Sequence, residues 1–117
     1  MTTRECIKVD NLRKKYSRDY TLEKWLQDPN NIYIGRNMTF YVKGANKSIW
    51  ANPFQIKKCK SIDDCLDKYR EFILGEIKKN PEVYDLNILK GKNLGCWCLE
   101  KDKCHADVLI SLLKESL

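Results

Sequence analysis

From residue 61 to 77 the apolar side chains Ile62, Cys65, Leu66, Tyr69, Phe72, Ile73 and Ile77 recur at intervals of three and four, behind Ser61 with Asp64 three positions on. That is the period of an amphipathic helix with a side-chain cap at its start, roughly four turns long. One apolar face of that length has to be covered, so the segments on either side decide the architecture.

Those segments alternate between strand-like and helical patterns. In ECIKVDNL, Cys6 and Lys8 alternate with Ile7 and Val9, which predicts a first strand ending near Asp10. Thr21 caps a short helix carrying Glu23 in its first turn and Leu22, Trp25 and Leu26 inside, stopped by Asp28 and Pro29. NIYIGR at 31 to 36 predicts a second strand, with Ile32 and Ile34 on one side, Tyr33 on the other and Gly35 at a turn or a close ligand approach. TFYV at 39 to 42, followed by turn-rich KGANKS, suggests a hairpin, and WANPF an ordered loop held extended by Pro53. Beyond the long helix, Asn80 as cap, Pro81 in the first turn, Val83, Leu86 and Leu89 inside and Gly91 as stop predict a shorter one. NLGCW then makes a strand, LEKDK a charged loop, and CHADVLISLLKESL a closing helix that buries Val108, Leu109, Leu112 and Leu113. Strands separated by helices point to an α/β fold: a single three-layer domain over residues 1 to 117, a small parallel or mixed sheet flanked by helices, Rossmann-like.

The chain's 117 residues, 43% hydrophobic and 32% charged, suit one globular core. No apolar run approaches the roughly 18 residues needed to cross a bilayer, and MTTRECIKVD lacks the apolar core of a secretory signal. The expected place is intracellular, in cytoplasm or nucleus, with no membrane partner. Lysine and arginine outnumber acids to give +6, in clusters such as Arg13-Lys14-Lys15 and Lys57-Lys58-Lys60, so an anionic partner competes with a merely solvated surface. Six cysteines in a lysine-rich, unsignalled chain argue against a disulfide framework; Cys6, Cys59 and Cys65 stand singly.

Only GCWCLEKDKCHADVL, residues 95 to 109, gathers cysteines with the chain's one histidine. On a strand Cys96 and Cys98 share a face and Trp97 takes the other. With Cys104 and His105 returning at a helix start, the four side chains offer a zinc ion its four ligands, although C-x-C-x5-C-H is not the usual C-x2-C spacing and adjacent Cys104 and His105 would need a tight bend. Alternatively, Cys104 is a nucleophile at a helix N-terminus assisted by His105 or Asp107, though adjacent helical side chains diverge. A third reading needs no covalent chemistry: the strand-to-helix loop meets an anion, His105 donating and Lys101 or Lys103 adding charge. The fourth makes the cysteines core, Trp97 packing and His105 a cap.

VDNLRK at 9 to 14, YIGR at 33 to 36, WANPF at 50 to 54 and GCWC…CHADVL at 95 to 109 together resemble a small domain family of bacteria, bacteriophages and large DNA viruses. Its pattern is N-L-R or N-V-R, Y-I-G-R, W-G-N-P-F and G-C-W-C with C-H-G-D-V-L, and no activity is assigned to it. The resemblance implies Asn11, Arg13, Tyr33, Ile34, Gly35, Arg36, Trp50, Asn52, Pro53, Phe54, Cys96, Trp97, Cys98, Cys104, His105 and Asp107 as motif residues. Ala51 and Ala106 replace the family's glycines, and residues 20 to 29 and 37 to 49 look like insertions. The closing segment also resembles, more briefly, a second α/β family with C-x-E…C-H-R at the same junction.

Asn11 with Arg13, Gly35 with Arg36, and Cys98 to His105 each follow a predicted strand, so a parallel sheet would gather them at one edge. Arginines there suit phosphate or carboxylate through bidentate pairing. The leading expectation is a binder of a phosphate-bearing ligand, nucleotide or nucleic acid, using Asn11, Arg13, Tyr33, Gly35, Arg36, Asn52, Cys98 and His105. Its rivals are a structural or interaction protein, with a homodimer as one form of it, and a thiol enzyme using Cys104. Zinc on Cys96, Cys98, Cys104 and His105 is the one cofactor the residue types suggest.

Overall fold

In the computed structural model, which describes residues 1–99 and 101–115 and leaves the side chain of Ile56 aside, three strands form one parallel sheet: β1 (Thr3–Cys6), β2 (Asn31–Tyr33) and β3 (Asn93–Cys96), in the order β1-β3-β2. The register sets Thr3 and Asn31 on either side of Asn93, and Tyr33 beside Gly95. Parallel strands need crossovers: α1 (Val9–Lys15) and α2 (Leu22–Gln27) lie between β1 and β2, α3 (Ile62–Lys79) lies between β2 and β3, and α4 (His105–Glu115) follows β3. Among the described residues no helix is long and apolar enough to cross a membrane.

The sheet is covered on both faces, so the α/β architecture is the one the alternating pattern implies. Leu94 and Cys96 of β3 pack with Tyr69 and Ile73 of α3 and Leu109, Leu112 and Leu113 of α4. On the opposite face Ile7, Leu12 of α1 and Leu22 and Trp25 of α2 form a second cluster, joined by Tyr33 and Trp97. Ser61 accepts from the Asp64 amide at 3.1 Å to start α3, and Thr21 accepts from that of Lys24 at 3.2 Å to start α2. The α2 segment, taken from the motif pattern as an insertion, contributes Trp25, which is fully buried.

Four expectations are corrected. Strand pairing stops at Cys6, and VDNLRKK is helix α1: the Asn11 amide donates to the Cys6 carbonyl at 2.8 Å and turns the chain, while Leu12 alone of the seven is buried. TFYV is a series of turns, with the Thr39 amide held by Asn37 at 3.0 Å and Phe40 and Tyr41 91% and 76% exposed. The helix expected after Pro81 reduces to a 3₁₀ turn at Leu86–Leu89, started by Asp85: of its expected apolar positions Leu89 is buried, Leu86 only partly so and Val83 exposed. Cys59 and Cys65 are joined in a disulfide: the turn before α3 brings their Cα atoms to 5.5 Å, so both leave the free-thiol set. Glu100, in the predicted loop, and the last two residues of the closing helix lie outside the described residues.

Tyr69 ties the WANPF loop to α3, its wholly buried hydroxyl donating to the Trp50 carbonyl at 2.6 Å. Tyr69→Phe leaves that carbonyl without its donor and should lower stability by about 1–2 kcal/mol, read from the urea midpoint. A loss below ~0.5 kcal/mol would mean that the hydroxyl does not anchor the loop.

Buried on the α2 face is a carboxylate. Glu5 is 1% exposed and accepts from Trp25 Nε1 and Asn93 Nδ2, each at 2.7 Å, and from the Tyr16 hydroxyl at 2.8 Å; Lys15 Nζ lies 2.7 Å from its second oxygen. Nothing in the strand pattern of ECIKV marks it, because its partners come from three other elements.

Candidate functional site

Because the strands are parallel, their carboxyl ends share one edge of the sheet. There β3 leads into the loop that returns as α4. Cys96 points toward α3 and α4, Trp97 to the opposite face, and Cys98 back again. Cys104 precedes the first residue of α4, and its amide donates to Asp107 Oδ2 at 3.0 Å, which fixes the helix start. The consequence is convergence: the Sγ atoms of Cys96, Cys98 and Cys104 all lie within 4.8 Å of one another. All three are free thiols, with Cys96 and Cys104 buried and Cys98 half-buried.

His105 stands against this trio. Its Nε2 lies 2.8 Å from the Ile34 carbonyl oxygen, and since a carbonyl only accepts, Nε2 carries the proton. Nδ1 is then the lone-pair nitrogen, 3.6 Å from Cys104 Sγ. Tyr69 packs edge-on against the ring at 5.1 Å between centroids. Burial pushes the imidazole pKa down despite the raising effect of the Ile34 carbonyl, so His105 is neutral at pH 7.

Arg4, at the other side of the loop, donates to Asp107 Oδ2 at 2.8 Å and to the carbonyls of Leu99 and Asp102 at 2.8 and 2.7 Å. It clasps the loop to the start of α4. The Cys98 pKa is held well down by thiol hydrogen bonds from Cys104 and Cys96, with the charge of Arg4 adding to the effect and burial opposing it. Cys104 is pushed far up, first by its hydrogen bonds to Cys96 and Cys98 and then by burial. For Cys96 the Cys104 thiol pulls downward, but Cys98 and burial outweigh it and leave the group near 11. Of the three thiols, Cys98 is the partly exposed one, while Cys104, the nucleophile candidate of the sequence, is 1% exposed.

On the α2 face the same edge is closed by a chain of hydrogen bonds. Trp97 Nε1 donates to the Tyr33 hydroxyl at 2.8 Å, and that hydroxyl donates to the Arg36 carbonyl. Gly35 lies beneath the Tyr33 ring, where an added Cβ would come within 2.5 Å of the hydroxyl oxygen. Its role is to admit Tyr33, a close approach of side chain rather than ligand.

Tyr33, Gly35, Cys98, His105 and Asp107 therefore meet at the strand ends. Asn11 is there too, engaged with the Cys6 carbonyl, whereas Asn52 accepts from the Phe54 amide at 2.9 Å in its own turn. Arg13, carried away by α1, lines a separate shallow groove with Tyr20 and Val42, and Arg36 is exposed beyond Tyr33. Lys8, Asp102 and Arg4 were not anticipated. Lys8 and Asp102 line, with Trp97, Cys98 and Lys103, a groove of about 400 Å³ over the thiol trio. The signal that could have found Lys8 is the strand end itself, which lies at Cys6 and not near Asp10 as the alternation of Ile7 and Val9 suggests.

Comparison with known proteins agrees with the motif resemblance. The family model described as "Domain of unknown function (DUF4326)" matches residues 18–115. An uncharacterised protein of Acanthamoeba polyphaga mimivirus is 33% identical over 91 residues, 72% of this chain and 67% of the relative. No solved structure matches the chain.

Proposed function

The chain belongs to the DUF4326 family, a domain of unknown function, and from the site that this chain builds we propose that it binds a phosphate-bearing ligand, a nucleotide or nucleic acid, in the groove at the strand ends. The observation that supports this is the lining of that groove: Lys8 from the β1 exit and Lys103 from the loop before α4 stand with the half-buried Trp97 between strand and loop. Lysines meet phosphate as point charges, and an indole offers a stacking surface to any base. About 400 Å³ is the size of a small-ligand site.

Two acids temper the charge. Lys103 pairs with Asp63 at 2.7 Å, but both side chains are more than 60% exposed, so the pair is weak and a phosphate displaces it at little cost. Asp102 also lines the groove, and its negative charge favours a ligand with one or two phosphates over a densely charged polymer. His105, its Nε2 proton engaged by Ile34, is not a donor in this reading, and the groove is lined without it.

Trp25 and Trp50 are buried, so quenching of tryptophan emission by an added nucleotide reports Trp97. A panel of mononucleotides should quench that emission and raise the melting temperature, and the Lys8→Ala, Lys103→Ala double variant should weaken binding at least ~10-fold. Salt-graded titration with single-stranded DNA and RNA forms the second arm: affinity falling steeply with salt assigns the site to nucleic acid, and mononucleotide binding with a shallow slope assigns it to nucleotides. Binding unaltered in the double variant, or none in either arm, overturns the proposal.

A further inference from the structure

We propose that Cys96, Cys98, Cys104 and His105 hold one zinc ion, which ties the loop after β3 to the start of α4. The inference does not depend on an anion in the groove above. Sequence spacing weighs against it, since C-x-C-x5-C-H is no zinc knuckle, yet the fold removes that objection. A strand places Cys96 and Cys98 on one face, and the loop returns Cys104 beside them, bringing all three sulfurs within 4.8 Å of one another. In a tetrahedron with Zn–S bonds of 2.3 Å the sulfurs stand about 3.8 Å apart, so small side-chain rotations suffice to close the trio on an ion.

The fourth donor carries the independent observation. A zinc-bound histidine characteristically gives its other ring N–H to a carbonyl or carboxylate, which fixes the tautomer and aims the lone pair. His105 is held in that manner, with Nε2 on the Ile34 carbonyl at 2.8 Å and Nδ1 3.6 Å from Cys104 Sγ, so a side-chain adjustment brings it to an ion held by the three sulfurs. Side chains adjacent on a helix diverge, but Cys104 lies outside α4 and His105 is its first residue, so the pair need not follow helical directions.

The surroundings suit a closed structural centre. Cys96 and Cys104 are buried, and Cys98 opens to the groove, which gives an ion its path in. Arg4, clasping the carbonyls of Leu99 and Asp102, holds the loop in place and offsets the net negative charge of a Cys₃His zinc site. Soft thiolates with one imidazole select zinc over magnesium or calcium, which take oxygen.

The test is metal analysis of the full chain purified under reducing conditions without a metal-affinity tag. About one zinc per chain is expected in the wild type and in Cys6→Ser, whose thiol is outside the trio, and below ~0.2 in Cys98→Ser. Cobalt(II) substitution should give thiolate-to-metal charge-transfer bands and the intense visible bands of a four-coordinate site, shifted in His105→Ala. Wild-type zinc below ~0.2 per chain without cobalt–thiolate bands overturns the proposal, and so does iron in place of zinc. Full zinc in a folded Cys98→Ser places the ion elsewhere and overturns it too. Should Cys98→Ser fail to fold, the wild-type cobalt spectrum decides: four-coordinate thiolate bands support the site and their absence removes it. Nucleotide binding is measured separately, so loss of either result leaves the other standing.

Discussion

Gly95→Ala should cost the protein more than about 3 kcal/mol, a large part of the 5–15 kcal/mol that holds a typical domain together. Gly95 is in the central strand, and the Trp25 indole packs directly against it: an added Cβ would come within 2.2 Å of Trp25 Cη2. Trp25 has no easy retreat, being fully buried and tethered through Nε1 to Glu5 at 2.7 Å. Overpacking therefore has to displace α2 from the sheet or break that hydrogen bond. The prediction is coupled to its partner. Trp25→Phe alone should destabilise, through lost packing and the lost N–H, but in the Gly95→Ala background it should cost much less, because the smaller ring makes room for the methyl group. Urea midpoints of the two single variants and the double variant measure that coupling. Gly95→Ala within ~0.5 kcal/mol of wild type would mean that the indole does not rest on the strand there.

Such a contact is invisible in one dimension, and it marks where the sequence stops being legible. Helices α3 and α4 are readable because each buries one face: Cys65, Tyr69 and Ile73 in the first, Leu109, Leu112 and Leu113 in the second. The seven residues of α1 bury Leu12 alone, so no period betrays a helix, and the preceding strand is read as running on into it. TFYV has strand-forming residues but pairs with none of the described strands; Asn37 and Gly44, the latter at φ 92°, turn the chain instead. Propensity yields wherever tertiary partners are missing.

For the site, the alternation of a strand was enough to set Cys96 and Cys98 side by side, and the junction with α4 to bring Cys104 near. The tautomer of His105 was not legible, because it depends on Ile34, 71 residues earlier. Nor was the dispersal of the arginines. With β1 ending at Cys6, Arg13 falls in the last turn of α1 instead of at a strand end, and Lys8 takes the place beside the groove. A shift of a few residues in one strand boundary thus changes which cation faces the ligand.

Glu5 carries the second large effect, and it has a pH signature. Glu5→Leu should destabilise by about 3–5 kcal/mol at pH 7, because it strands the Trp25 N–H, the Asn93 amide and the Tyr16 hydroxyl together. Glu5→Gln keeps the shape and an acceptor oxygen while losing the charge, and should cost less, about 1–3 kcal/mol. Burial by itself would raise the Glu5 pKa, but hydrogen bonds from Lys15, Trp25, Tyr16 and Asn93 outweigh it and hold the group below 4.5 in the folded chain. The sign follows from that direction. A carboxylate lowered by folding stabilises fully above its unfolded pKa and loses its contribution as pH falls through the folded value. The stability gap between wild type and Glu5→Gln should therefore be constant from neutral pH to about 5 and shrink at lower pH, as wild-type Glu5 takes up its proton. Urea unfolding at pH 7 and at about pH 3 measures both ends of that window. A gap of the same size at both would assign the acid sensitivity to another group and leave Glu5 a neutral hydrogen-bond acceptor.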